Sequence, residues 1–163
     1  MEIVKTPAPP SGVRRLLWRL PIHFYRRGLG VLMPPRIMLL THVGRKSGLP
    51  RRAVIEVVEH GPDGYVAASG FGVRADWYQN VLKTPDVTIQ VGRRVLPVTA
   101  VVLSKEDGAD LMARYGPRNP RTARRLCSIM GFSIDGSVDD FRAVGERIPF
   151  VRFVPRPDGP GAG

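Results

Sequence analysis

Apolar positions along this chain come in short runs broken by glycine and proline, and two periods alternate between the breaks. After Pro34-Pro35 the run Arg36 to Val43 is almost wholly apolar, which predicts a buried strand ending at Gly44. Arg52 to His60 alternates and is rich in valine, Gly61-Pro62-Asp63-Gly64 is a strong turn, and Tyr65 to Ser69 follows, so the three runs read as a β-meander. Asp76 to Lys83 changes to a helical period carrying Trp77, Tyr78, Val81 and Leu82, with Asp76 as its cap and Thr84-Pro85 as its stop. Val87 to Val91 and Arg94 to Leu103 form a further hairpin about Gly92-Arg93. Ser104 with Asp107 is a capping-box variant that starts a helix through Leu111, Met112 and Tyr115, and Asn119 is placed to cap Arg121 to Met130. A Gly/Asp-rich loop is expected from Gly131 to Asp140, then a closing strand from Ile148 to Val154.

About six short antiparallel strands with helices inserted between hairpins predict a mainly β chain with α (α+β), closed as a small barrel or sandwich. A doubly wound parallel sheet is disfavoured for want of regular strand–helix crossovers. Residues 1–11 hold three prolines and no hydrophobic period and read as an arm. From Gly12 to Gly30, Val13, Leu16, Leu17, Leu20 and Phe24 recur at helical spacing with arginines largely elsewhere, giving an amphipathic basic helix that packs on its own domain or meets a membrane surface. Residues 31–155 are left for the single barrel domain that 163 residues predict, and 156–163 for a tail. No apolar run approaches the roughly 20 residues of a membrane span and no signal peptide is legible, so the expectation is a cytoplasmic protein with peripheral membrane contact left open. Cys127, the only cysteine, reads as a buried helical thiol. A net charge of +11 asks for an anionic partner, but no nucleic-acid motif accompanies it.

Chemistry concentrates in Gly44-Arg45-Lys46-Ser47-Gly48-Leu49-Pro50-Arg51. Gly44 and Gly48 can adopt positive φ and let successive N–H groups converge on one oxyanion, while Arg45, Lys46, Arg51 and the Ser47 hydroxyl add charge and a donor. Phosphate is the natural guest; a hairpin turn with solvated basic residues is the alternative. Ser69-Gly70-Phe71-Gly72 followed by Trp77-Tyr78 offers a slot for a flat ring, against the alternative that both aromatics are core anchors. His23, His42 and His60 lie in unrelated contexts with no metal-ligand spacing, so no metal site is expected, and no Gly-x-Ser-x-Gly elbow is present. A phosphate cradle without a self-sufficient catalytic set fits a cofactor enzyme.

Leu-Leu-Thr-x-x-Gly-Arg-Lys-Ser-Gly-x-Pro-Arg (Leu39 to Arg51), Ser69-Gly70, Trp77-Tyr78-x-Asn80, Pro85-x-Val87 and Gln90-Val91-Gly92, in that order, resemble the deazaflavin-dependent nitroreductase family, with the likeness running on to the terminal Ile-Pro-Phe-Val strand. The resemblance implies a split β-barrel, coenzyme F-420, and hydride transfer from its reduced form to an electron-poor acceptor of enone, quinone or nitro type. It places Arg45, Lys46, Ser47 and Arg51 at the cofactor's phosphate and tail, Ser69, Gly70, Trp77 and Tyr78 around its ring, and allows a homodimer. Tyr78 and Tyr115 are the candidate proton donors. The family often carries a lysine where this chain has Gly70 and a His-Pro or Asn-Pro where it has Arg74-Ala75-Asp76, so nitro-prodrug activation is not carried over. Two other readings stand beside this one: a barrel that binds FMN or haem, and a non-catalytic module for an anionic ligand or lipid.

Overall fold

Long-range pairing turns those runs into a closed six-stranded antiparallel barrel of split-barrel type, seen in a computed structural model that describes residues 2–3 and 37–157. The strands are β1 (Glu2–Ile3), β2 (Ile37–Val43), β3 (Pro50–Gly61), β4 (Gly64–Ala68), β5 (Asp86–Val91), β6 (Arg94–Val102), β7 (Phe132–Ser133) and β8 (Phe150–Pro155). The helices are α1 (Asp76–Lys83), α2 (Lys105–Arg118), α3 (Pro120–Ile129) and α4 (Val138–Gly145). Around the barrel the order is β2, β3, β4, β8, β6, β5, with β5 pairing back to β2. The segment expected to form a basic helix, 12–30, lies outside the described residues, as does most of the arm; Glu2 and Ile3 pair with Ser133 and Phe132.

The chain divides into two compact units. The first comprises 10–67, 76–101 and 152–163, and holds most of the barrel and α1. Its core follows from period-2 alternation: Met38 and Leu40 on β2, Ile55 and Val57 on β3, Ile89 on β5, Val98 on β6 and Phe153 on β8 are buried. A register shift between Val57 and Glu59 interrupts the alternation and leaves Val58 buried as well. The β3–β4 turn needs glycine at position 64, where φ is +117° and a Cβ would strike the Phe153 carbonyl.

The second unit comprises 1–9, 68–75 and 102–151. Ser104 Oγ accepts from the Asp107 N–H at 3.1 Å, which starts α2 where the capping box placed it. Helices α2 and α4 meet through small residues: a Cβ on Gly145 would strike the Gly108 backbone, and Gly116 lies against the Phe141 ring. Two expectations are corrected here. Asn119 stands at the N-cap of α3 without capping it by its side chain; Asn119 Nδ2 donates back to the Tyr115 carbonyl at 3.2 Å, and Pro120 opens the helix. The loop expected over 131–140 holds β7 and the start of α4, capped by Ser137 Oγ accepting from the Asp140 N–H at 3.2 Å.

Candidate functional site

Turn 44–49 first satisfies itself. The Gly44 N–H donates to the Leu49 carbonyl and the Gly48 N–H to the Gly44 carbonyl, both at 2.8 Å. Gly48 has φ +70°, as expected, but Gly44 is not among the positive-φ glycines; what excludes a side chain there is Ser47 Oγ, 2.6 Å from where a Cβ would stand. Ser47 Oγ accepts from the Leu49 N–H at 3.2 Å and lies 3.5 Å from Arg51 Nη2, which keeps that guanidinium over the turn. Among the described residues, the N–H groups of Lys46 and Ser47 have no partner, and the Lys46 and Arg51 side chains are exposed. Two free N–H donors, a hydroxyl and two cations suit an anion with several oxygens.

Arg45 is employed differently. Its N–H donates to Asn80 Oδ1 at 3.0 Å, its carbonyl accepts from Lys83 Nζ at 2.7 Å, and its Nη1 reaches Asp76 Oδ1 at 3.2 Å and Asn80 Oδ1 at 3.0 Å. Asp76, Asn80 and Lys83 are spaced i, i+4, i+7 and therefore form one stripe of α1. Asp76, expected as a helix cap, lies inside the first turn with its carboxylate on Arg45.

Behind the stripe stands His42, buried on β2. Asn80 Nδ2 donates to His42 Nδ1 at 2.9 Å. An N–H can only donate, so the atom facing the Arg45 N–H is the amide oxygen of Asn80; its NH2 then faces Nδ1, which must carry a lone pair. The ring is neutral with its proton on Nε2. Burial pushes the His42 pKa down to about 4, with Asp76 opposing and Arg51 reinforcing the shift. His42 is thus tied into the turn's support, not the isolated histidine its sequence context suggested. The polar stripe 76/80/83 was the readable signal for Asn80 and Lys83; nothing local pointed to His42.

The remaining predicted residues divide between the units. Trp77 and Tyr78 lie in the barrel unit and are buried, with ring centroids 6.0 Å apart edge to face and Trp77 tilted 6.3 Å from Phe153, the arrangement expected of core anchors. Ser69, Gly70 and Tyr115 belong to the other unit. Ser69 Oγ donates to the Gly72 carbonyl at 2.6 Å and its N–H to the Pro149 carbonyl at 2.8 Å, so its hydroxyl shapes the 69–72 loop. A Cβ on Gly70 would make only an ordinary 3.7 Å contact with Met130 Cε. Tyr115 is buried on α2, and Cys127, buried on α3, has its thiol pKa pushed up to about 11, far from a reactive thiolate.

Residues 17–127, well over half of the chain, match the family described as F-420H2-dependent quinone reductase. Rv3178 of Mycobacterium tuberculosis, provisionally named an F-420H2-dependent quinone reductase, is 36% identical over 91 residues, which are 55% of this chain and 76% of that protein. Among solved structures, an F-420-H2 dependent reductase (FDR-A) aligns with TM-score 0.49 and 25% identity, covering 72% of this chain and 93% of that one. HutZ, the heme storage protein of Vibrio cholerae, aligns with TM-score 0.52 and 15% identity over 85% of this chain and 90% of its own, a likeness of fold alone. The Gly44–Arg51 turn falls within the matched segment, and on that match the chain belongs to the F-420H2-dependent quinone reductase family, enzymes whose cofactor is coenzyme F-420.

Proposed function

We propose that this F-420-dependent reductase acts on quinones and holds the anionic tail of its cofactor at the Gly44–Arg51 turn. The observation that carries the reading is the turn's pair of N–H groups, at Lys46 and Ser47, with no partner among the described residues, beside the exposed cations of Lys46 and Arg51. These groups fit a phosphate: donors and charge are already gathered, so little reorganisation is needed to bind it. Bound F-420H2 supplies a hydride, and a quinone that takes it together with one proton becomes the hydroquinone. The chain's share is placement, with Lys46, Ser47 and Arg51 on the anion.

Replacing both Lys46 and Arg51 with alanine should weaken oxidised F-420 binding about 30-fold in a fluorescence titration at ~0.15 M salt, because the anion then has neither cation to pair with and solvent already screens part of that attraction. An unchanged Kd would remove the turn from the cofactor site. Wild-type turnover of a water-soluble benzoquinone with F-420H2, against none of a simple conjugated enone, would support the quinone assignment; the reverse would overturn it.

A further inference from the structure

Arg45 is held at its N–H, its carbonyl and its guanidinium at once, and each hold comes from α1. Asn80 is the centre of that arrangement: Oδ1 takes both the main chain and the side chain of Arg45, and Nδ2 is spent on His42. With its guanidinium bound to Asp76 and Asn80, Arg45 serves as the turn's anchor, which leaves the anion to Lys46, Ser47 and Arg51. We propose that the Asp76–Asn80–Lys83 stripe, backed by the neutral ring of His42, is a positioning device that sets the main chain at Arg45 so that the next two N–H groups stand ready for the oxyanion. This rests on the reading of the turn as the F-420 anion site. Asp76, Asn80 and Lys83 are positioning residues, acting through Arg45. A turn held in advance spares the ligand the ordering of several backbone dihedrals.

Two substitutions give results that a bystander role would not. Asp76→Asn removes a negative charge close to an anion site. Charge alone predicts tighter binding of F-420. Loss of the Arg45 anchor predicts binding about 3-fold weaker, the scale of one exposed ion pair. Asn80→Ala removes the Oδ1 acceptor of the Arg45 N–H and guanidinium together with the Nδ2 donor to His42.

Oxidised F-420 is titrated into wild type, Asp76→Asn and Asn80→Ala at pH 7, following fluorescence, with thermal melts as the folding control. The expected result is binding about 3-fold weaker by Asp76→Asn and about 10-fold weaker by Asn80→Ala. Binding by Asp76→Asn that is unchanged or tighter overturns the proposal, and so does an unchanged Kd for Asn80→Ala. Should Asn80→Ala fail to fold, Asp76→Asn, at a carboxylate that pairs with Arg45 at the surface, decides alone. A wild type that binds no F-420 would instead remove the anion site itself, a result distinct from either.

Discussion

The barrel unit and the helical unit hold their polypeptide by different means. Around the Gly44–Arg51 turn the barrel unit uses directional polar contacts, where Asp76, Asn80, Lys83 and His42 each satisfy a particular atom. In the helical unit α2 and α4 meet at Gly108, Gly116 and Gly145, where the absence of side chains lets backbone and the Phe141 ring come close. Close packing answers to volume and is indifferent to pH; a hydrogen-bonded strut answers to protonation and tolerates changes of volume around it.

The largest expected effect lies in the packed unit. Gly145→Ala would drive its new methyl into the Gly108 backbone and to 2.7 Å from the Ala109 Cα, and backbone cannot rotate away as a side-chain tip can. Overpacking of this kind should destabilise by about 3 kcal/mol and lower Tm by about 6–12 °C. A fall below about 2 °C would mean that α2 and α4 separate freely, and the contrast between the units would weaken.

The polar counterpart is a dependence on acid. His42 in the fold has a pKa of about 4 against 6.5 in its ordinary state, so the unfolded chain takes the proton first. Its contribution is fully present above pH 6.5, declines as pH falls towards 4, and is lost below that. The shift corresponds to about 3 kcal/mol at most. Urea unfolding of wild type between pH 7 and 4 should show this loss, and His42→Asn, which keeps an acceptor without titrating, should show a smaller one. Equal slopes would mean that the buried ring is not what senses acid.

How much of this was legible depended on the range of the contacts. The period and the Thr84-Pro85 stop outlined α1 correctly, and the glycines marked the turn between β2 and β3, because those signals are local. The partners of Arg45 lie 31 to 38 residues away, and a sequence carries charges without saying which ones meet. The contacts of the Arg45 guanidinium with Asp76 and Asn80 were therefore not legible in the sequence. His42 shows no sequence sign of its role, since its partner comes to it only when β2 and α1 are packed. The packing of Gly108 against Gly145 was equally hidden, and the glycines of 131–140 suggested a loop where a helix begins.

That hidden helix supports the smallest effect. Ser137-x-x-Asp140 has the spacing of Ser104-x-x-Asp107, and in both places the serine oxygen accepts the N–H three residues on. Gly131 and Gly136 obscured the second instance, although both have positive φ and so punctuate the approach to the helix without entering it. Ser137→Ala removes the acceptor and leaves the Asp140 N–H to water, which should destabilise by about 1 kcal/mol and lower Tm by about 2–4 °C. Ser137→Thr keeps the acceptor and should recover most of the loss. If Ser137→Ala lowered Tm as far as Gly145→Ala, the cap would be holding the whole α2–α4 contact, and the helical unit would depend on directional bonds as much as the barrel unit does. A fall of the smaller size would mean that close packing is the main hold between α2 and α4, with the cap confined to the first turn of α4.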